Sequence, residues 1–281
     1  MRVKRLLSLA LASLLASLVV CLGCSHREPE PALRAAFIDV GQGDAILLDR
    51  GATEVLIDGG PPGSAERLVR YLRSRVDGPL EAVVASHPHS DHIGGLPAVL
   101  KAYEVKRVWL SGGQEDSESC RAFAAAVQAE GAVVQALRRG ESLAVGPLSF
   151  RVLHPQALSA TPNEDSIVLE LDYGEVLFLF TGDAGASAEA GMLQAGLVRR
   201  VAVLKAGHHG SRYSSSAAFL EAAGPEVAIY MAGEDNQYGH PHDETISALQ
   251  DLGARVYGTD ENGTIEVDSD GQSYRVKTAR Q

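Results

Sequence analysis

The stretch "SHPHSDHIGG", residues 86–95, places three histidines and an aspartate within six positions, directly after the apolar run "LEAVVA" at 80–85. The chain has nine histidines, and all except His26 fall in four short stretches, "HPHSDH", "VLHP", "GHHGS" and "GHPH". Each stretch follows or ends a strand-like run, where loops present functional groups from a rigid sheet. Histidines that serve only packing would be scattered, so the clustering itself predicts a functional site.

The spacing within this stretch indicates an open metal centre. His87 and His89 are separated by one residue, so in an extended loop both rings can face the same side and bind one ion. Asp91 and His92 then turn toward a second position. Imidazole nitrogens and a carboxylate oxygen suit Zn²⁺, Mn²⁺ or iron, and the absence of nearby thiolates disfavours a closed structural zinc site.

The net charge limits the classes of ligand. A formal charge of −11 over 281 residues argues against a broad basic surface that holds nucleic acid by phosphate neutralisation alone. If a phosphate-bearing substrate binds, local groups or metal ions must offset this negative field.

The N-terminus differs in composition from the rest of the chain. Basic residues precede the uncharged run 6–23, which ends at Cys24, and this order is typical of an export signal. We expect residues 1–24 to be a lipoprotein signal with Cys24 as the lipidation site, residues 25–32 a tether, and residues 33–281 the folded domain. The expected location is outside the cytoplasmic membrane, as a membrane-anchored lipoprotein that faces the periplasm or the cell exterior. An uncleaved membrane anchor is the alternative.

The remainder of the chain predicts a layered α/β (α+β) fold. Strand-like apolar runs are interspersed with helical patterns, and two sheets packed face to face with helices outside is the economical architecture. The runs are 33–40, 44–48, 53–58, 80–86, 105–110, 148–153, 166–172, 175–180, 201–205, 226–231 and 264–267. The helical patterns are 64–74, 95–103, 117–130, 184–195, 215–223 and 243–252.

The motif "HPHSDH" resembles the HxHxDH signature of the metallo-β-lactamase fold. This resemblance implies a single-domain, four-layer αββα sandwich with a one- or two-metal site. Seven motifs also occur in the order found in the hydrolase domain of ComEC-type DNA-uptake competence proteins. They are "FIDVGQGDAILL" (37–48), "VLIDGG" (55–60), "SHPHSDHIGG" (86–95), "NEDSIVL" (163–169), "LFTGD" (179–183), "LKAGHHGS" (204–211) and "YGHP" (238–241).

The resemblance also implies roles for individual residues. His87 and His89 look like ligands of one metal, and Asp91 and His92 look like ligands of the other. Asp183 looks like the carboxylate that bridges the two ions. For "GHHGS", the resemblance suggests His209 as the last metal ligand and His208 on the substrate side, although the order of the two could be swapped. Catalytic roles are expected for Asp91, which would orient or deprotonate the attacking water, and for His208 and His240, which would contact the transition state or protonate the leaving oxygen.

Several positions keep two interpretations. Asp58 matches an aspartate that orients a metal-binding histidine, but it also fits an ordinary Asp-Gly turn. Where many related proteins carry a third metal histidine, this chain has Asn163, and His154 could supply the missing imidazole or only pack at a strand end.

Other charged residues near the motifs are equally open. Lys205 could contact a phosphate or be a solvated charge. Asp39 and Asp44 are better explained as turn residues than as ligands.

The expected function is that of an exported, metal-dependent hydrolase. Two divalent ions, Zn²⁺ or Mn²⁺, would generate a metal-bound hydroxide that cleaves a phosphodiester, with DNA as the expected substrate. The alternatives are a phosphodiesterase for small or envelope-derived substrates, similar to phosphorylcholine esterases, and a catalytically silent metal-binding module. The expected partners are therefore a phosphodiester substrate and, through the lipid anchor, a membrane.

Overall fold

Alternate residues of the first strand pack on opposite sides of a sheet, and this alternation defines the layers of the fold. Leu33, Ala35 and Phe37 join a core that lies between two sheets, whereas Ala36 joins a core on the other face. Because both faces of such a strand are buried, its sequence is an almost continuous apolar run. The structure is a computed structural model, and it describes residues 33–280. The predicted signal, the tether and Cys24 lie outside the described residues.

The described part of the chain forms fifteen strands in two sheets. The strands are β1 (Leu33–Phe37), β2 (Ile46–Asp49), β3 (Glu54–Ile57), β4 (Ala82–Ala85), β5 (Arg107–Leu110), β6 (Val133–Ala136), β7 (Ser142–Val145), β8 (Leu148–His154), β9 (Val168–Tyr173), β10 (Val176–Phe180), β11 (Val203–Lys205), β12 (Val227–Tyr230), β13 (Arg255–Gly258), β14 (Ile265–Ser269) and β15 (Tyr274–Thr278). One sheet has the order β15-β14-β1-β2-β3-β4-β5-β6, and the other has the order β13-β12-β11-β10-β9-β8-β7. Both sheets are mixed: β3 to β6 are parallel, as are β10 to β13.

Eight α-helices accompany these strands within residues 33–280. They are α1 (Ala65–Arg73), α2 (Ser90–Ile93), α3 (Leu96–Ala102), α4 (Glu118–Glu130), α5 (Ala186–Gln194), α6 (Ala217–Ala223), α7 (Asp243–Asp251) and α8 (Thr259–Asn262). None of them is long and apolar enough to cross a membrane.

Three apolar cores hold the layers together. The first lies between the two sheets and includes Phe37, Phe150 and Phe178. The second joins the eight-stranded sheet to α1, α3 and α4, and the third joins the seven-stranded sheet to α5, α6 and α7. Helices therefore cover the outer face of each sheet, and the predicted four-layer αββα sandwich in a single domain is confirmed.

All eleven predicted strand runs and all six predicted helical patterns coincide with elements of the structure. The sequence analysis missed β6, β7, β13 and β15. These strands are short or lie at sheet edges, and each has exposed residues, so burial does not impose a long apolar run on them. The order of the parallel strands matters most for function. It brings the C-terminal ends of β3, β4, β10, β11 and β12 to one edge of the sandwich.

Candidate metal centre

The predicted site residues lie in loops at this common edge. Asp58 directly follows β3, the stretch 87–92 follows β4, Asp183 follows β10, and the histidines at 208–209 follow β11. Asp44 precedes β2, which pairs antiparallel with β3, so it reaches the same edge from the opposite direction. Loops from both sheets therefore converge on one place.

The first group of ligand atoms contains His87, His89 and Asp183. Each residue contributes one ligand atom, and these atoms lie within 4.8 Å of one another. His87 Nε2 lies 3.1 Å from His89 Nδ1 and 3.8 Å from Asp183 Oδ2. Three donors at these separations can face a single ion.

The second group shares Asp183 with the first. His92 Nε2 lies 3.2 Å from Asp183 Oδ1, and His209 Nε2 lies 3.4 Å from Asp183 Oδ2. Asp91 Oδ2 is 3.3 Å from the same His209 nitrogen. The Asp183 carboxylate thus stands between two sets of donors, which is the position that a bridging ligand requires.

Unpaired buried atoms indicate that this cluster fits a cation. Among residues 33–280, Asp183 Oδ1, His92 Nε2 and His209 Nε2 are buried and have no hydrogen-bond partner. Leaving a buried polar atom without a partner costs about 1–3 kcal/mol. A divalent ion would satisfy all three atoms, and a donor set of nitrogen and oxygen suits Zn²⁺, Mn²⁺ or iron. The residues present therefore fit a metal site.

Hydrogen bonds behind the histidines orient the atoms that face the site. Asp58 Oδ2 accepts a bond of 2.8 Å from His92 Nδ1, and its two oxygens also accept from the backbone nitrogen and hydroxyl of Ser86. His209 Nδ1 donates to the carbonyl oxygen of Met231 over 2.8 Å. With each Nδ1 occupied, Nε2 is the atom that each ring directs at a metal, and such supporting partners increase metal affinity. This is the orienting arrangement considered for Asp58.

The electrostatics of the cluster also favour a bound cation. Burial opposes ionisation of Asp183, but His209 and His92 outweigh this effect and hold its pKa well below the usual range. Burial likewise opposes protonation of His92 and His209, yet the Asp183 carboxylate and the aspartates beside them raise both pKa values well above normal. Burial lowers the pKa of His87, assisted by His92. Without metal, His92 and His209 therefore hold a second proton beside the ionised Asp183 carboxylate, while His87 stays neutral. The cluster stabilises positive charge, and a bound metal ion would take the place of these protons.

Asp44 lies on the far side of the ligand histidines. Its Oδ1 is 3.2 Å from His209 Nδ1, its Oδ2 is 4.0 Å from His92 Nδ1, and its Oδ2 is 2.7 Å from Lys205 Nζ. Asp44 therefore lies close enough to count among possible ligands, but it faces the Nδ1 atoms and is already paired. Lys205 is fully buried, so it is neither a solvated charge nor a residue on the surface of the substrate cavity. Asp39 instead binds the backbone nitrogen of Gly41, as a turn residue does.

A cavity of about 300 Å³ opens onto the metal centre. Its lining includes Asn163, His208, Tyr238 and His240 together with candidate ligands. Burial, aided by the neighbouring histidines, lowers the pKa of His240 to about 4. His240 is therefore neutral at pH 7, and its imidazole suits hydrogen bonding better than general acid catalysis.

His208 and His209 point to different sides of the site. Both have left-handed backbone angles, with φ of 49° and 57°, and Gly210 continues the turn with φ of 82°. His209 is buried among the ligand atoms, whereas His208 is partly exposed and its Nε2 lies 3.8 Å from Asp183 Oδ2. These positions agree with His209 as the ligand and His208 on the substrate side.

His154 requires a correction. Its Nε2 lies 2.6 Å from the carbonyl oxygen of Glu164 and donates a hydrogen bond there. The side chain belongs to neither ligand group and does not line the cavity, so the prediction that His154 supplies a metal ligand is wrong. Asn163 does reach the site: its Nδ2 lies 3.4 Å from His208 Nε2, and its Oδ1 is buried without a partner among the described residues.

The sequence analysis gave no role to two residues of the cavity lining, Gln42 and Tyr238, and neither of its interpretations of Lys205 matches the structure. Gln42 lines the cavity, and its Oε1 accepts a bond of 3.1 Å from the backbone nitrogen of Gly233. Tyr238 lines the cavity beside His240, and Lys205 supports the ligands through Asp44. Their positions within the motifs "VGQGD", "YGHP" and "LKAGHHGS" were the available signal.

Comparisons with known proteins agree with this geometry. The chain is 33% identical over 250 residues to ComE operon protein 3 of Bacillus subtilis, covering 82% of this chain and 32% of that protein. It is 30% identical over 258 residues to Recombination protein 2 of Haemophilus influenzae, covering 89% of this chain and 31% of that protein. The chain thus spans about a third of the length of these curated relatives.

A solved structure shows the same fold. The metallo-β-lactamase fold protein YhfI from Bacillus subtilis superposes with a TM-score of 0.57 at 15% identity, covering 84% of this chain and 99% of that one. Residues 38–234 match the family described as the metallo-beta-lactamase superfamily. With its His and Asp cluster for divalent metal, the chain is a metal-dependent hydrolase by fold. It belongs to the metallo-β-lactamase superfamily.

Proposed function

We propose that this chain hydrolyses phosphodiester bonds in DNA with the help of two divalent ions. The observation that carries the proposal is the position of Asp183 between two groups of ligand atoms. A shared carboxylate suits ions about 3.5–4 Å apart, the separation used in two-metal phosphodiester hydrolysis. Such ions, when bound, would lower the pKa of the attacking water and neutralise charge on the phosphoryl oxygens.

The side chains around the cavity have separate tasks in this proposal. The side chain of Asp91 is 26% exposed, so it reaches the cavity and can orient the attacking water or accept its proton. His208 and His240 also line the cavity and can donate hydrogen bonds to oxygens that gain charge in the transition state. Asn163 positions His208 through its amide.

DNA as substrate is supported by the relatives and not by surface charge. One relative is named for recombination, a process on DNA, and the ordered motifs resemble those of DNA-uptake proteins. Lysine and arginine are missing from the cavity lining within the described residues, so phosphate binding would depend on the ions. This missing positive charge favours a second candidate, a phosphodiesterase for small or envelope-derived substrates.

One experiment separates the candidates. The full-length chain in mild detergent is stripped of metal, reloaded with Mn²⁺ or Zn²⁺, and assayed on single- and double-stranded DNA and on bis(p-nitrophenyl) phosphate. We expect DNA cleavage that is lost in Asp183→Asn. Turnover of the small diester alone would replace the nuclease with the second candidate, and inactivity with retained metal would indicate a metal-binding module.

We also propose that the chain is exported and anchored to a membrane through an acylated Cys24. The support is the sequence of residues 1–24, in which basic residues, an apolar run and a cysteine follow one another. The test is labelling with radioactive palmitate during bacterial expression. Label in the wild type but not in Cys24→Ala is expected, and an unlabelled wild-type chain would contradict the anchor.

A further inference from the structure

Two tyrosines are the exposed aromatic side chains among residues 33–280, and one of them borders the metal centre. Tyr213 is 71% exposed and Tyr238 is 56% exposed. Tyr238 lines the cavity, whereas Tyr213 does not. An aromatic ring left in water loses the favourable free energy of burial, so packing within this chain does not account for the position of Tyr238.

The Tyr238 ring continues a row of rings that begins at the metal ligands. It lies nearly parallel to the His240 ring, with an interplanar angle of 21° and centroids 5.8 Å apart. The His240 ring is in turn 6.0 Å from the ring of His209. The row therefore runs from the metal centre toward solvent, and Tyr238 stands at its outer end.

The backbone beneath this ring is braced by one side chain. Asn236 Oδ1 accepts hydrogen bonds from the backbone nitrogens of Tyr238 and His240, over 3.1 and 3.0 Å. Its Nδ2 donates to the carbonyl oxygens of Gly233 and His240, over 2.9 and 2.5 Å. Four bonds to one side chain hold the loop in place, so a ligand that uses the ring does not have to order it first.

The size of the cavity decides what could meet the ring. At about 300 Å³, it lies at the lower end of the range for ligand sites, about 300–1,000 Å³. A phosphodiester held by ions at Asp183 would occupy part of this volume, and the attached nucleoside would extend toward the rim. Tyr238 offers a flat apolar surface there, in a lining without lysine or arginine among the described residues.

We propose that Tyr238 is a specificity-determining residue that stacks on an unpaired nucleobase next to the scissile phosphodiester. This inference rests on the proposed function and names the form of its substrate. Base faces in a duplex are covered by their neighbours, so the ring selects single-stranded or locally unpaired DNA. Stacking of one base on an aromatic side chain changes binding by about 5- to 150-fold.

Binding to an oligonucleotide that resists hydrolysis tests the proposal. The full-length, Mn²⁺-loaded chain is titrated against fluorescein-labelled, phosphorothioate single strands, one with bases and one abasic, and fluorescence anisotropy gives each Kd. In Tyr238→Ala, we expect the preference for the base-bearing strand to fall about tenfold. Tyr238→Phe should retain the preference, because the ring and not the hydroxyl does the stacking.

Tyr213→Ala is the matched control, because it removes an even more exposed ring outside the cavity and should leave the preference unchanged. Equal weakening of Tyr238→Ala toward both strands, or an unchanged preference, would overturn the proposal. So would a wild-type chain that binds both strands equally. Cleavage of ordinary DNA is measured separately, so a chain that binds with the expected preference but does not cleave contradicts only the proposed function.

Discussion

Lys205 Nζ lies 2.7 Å from Asp44 Oδ2, and both side chains are almost completely buried behind the metal ligands. The same Asp44 carboxylate approaches His209 Nδ1 at 3.2 Å and His92 Nδ1 at 4.0 Å. Burial alone would raise the pKa of Asp44, but Lys205, His209 and His92 together outweigh it and keep the pKa below the usual value. One internal ion pair thus supports two candidate ligands of the second metal position.

Removing Lys205 should destabilise the fold. Lys205→Met keeps an apolar stem of similar length but leaves Asp44 buried without its cation, and such losses amount to about 3–5 kcal/mol. Urea unfolding in the presence of a chelator measures the change. In the double variant Asp44→Asn with Lys205→Met, both charges are gone, so the loss should be smaller than in Lys205→Met alone.

Lys277→Met is the matched control, because Lys277 Nζ also lies 2.7 Å from a carboxylate, Asp268 Oδ2, but the lysine side chain is 52% exposed. Exposed ion pairs contribute about 0–1 kcal/mol, so this variant should change stability little. Equal losses in Lys205→Met and Lys277→Met would contradict the role assigned to the buried pair.

The two ligand groups predict separate metal losses. His87→Ala removes a donor from the first group and His209→Ala removes one from the second, so each variant should retain about one of two ions, whereas Asp183→Asn should weaken both. Metal content after dialysis, by inductively coupled plasma mass spectrometry, gives the counts. Loss of both ions in His87→Ala, with the fold intact by circular dichroism, would argue against two independent positions.

Asp58 should control affinity for the ion that His92 faces. In Asp58→Asn the side chain keeps its size, and asparagine tolerates the left-handed φ of 58° at this position. An amide has one acceptor oxygen where a carboxylate has two, so asparagine cannot accept all the hydrogen bonds that Ser86 and His92 donate to Asp58. Metal affinity should therefore fall about 10- to 100-fold. Competition with a fluorescent chelator measures it, and an affinity within twofold of wild type would show that Asp58 acts only as a turn residue.

The site could be predicted where its chemistry is local in sequence. His87, His89, Asp91 and His92 sit within six positions, and their spacing alone indicates a metal centre. The role of Lys205 could not be predicted in this way, because a lysine at a strand end normally extends into water. Its burial depends on Asp44, which only the packing of one sheet against the other brings close.

The strands also differ in how well the sequence predicts them. The apolar runs that form β1 to β5 and β8 to β12 are buried, and a buried strand requires a run of apolar residues that can be recognised in the sequence. Strand β6 shows that the reverse does not hold: it contains Val133 and Val134, yet all four of its residues are exposed, and within residues 33–280 it pairs with β5 alone. His154 is a case in which the sequence misleads. A histidine at a strand end resembles a metal ligand in sequence, but its hydrogen bond to the backbone carbonyl oxygen of Glu164 holds it away from the metal centre.

Glu54 should make stability fall as the pH rises. Burial, together with the carboxylates of Asp49, Asp77 and Glu81, raises the pKa of Glu54 from 4.5 to about 7. Between these values the folded chain holds a proton that the unfolded chain has released, so the free energy of unfolding decreases with pH, by at most about 1.4 kcal/mol per pH unit. Below pH 4.5 both states are protonated and above about pH 7 both are ionised, so the contribution changes only within this window.

Urea unfolding of wild type and Glu54→Gln between pH 4 and 8 isolates this contribution from those of other groups. The glutamine variant should gain stability relative to wild type as the pH rises from about 4.5 to 7, because it carries no charge to bury beside three carboxylates. Glu221→Gln, at an exposed position of α6, should follow the wild-type curve throughout. A constant difference between wild type and Glu54→Gln across the pH range would mean that Glu54 ionises equally in the folded and unfolded chains, and the buried strand β3 would then have to accommodate the charge without cost.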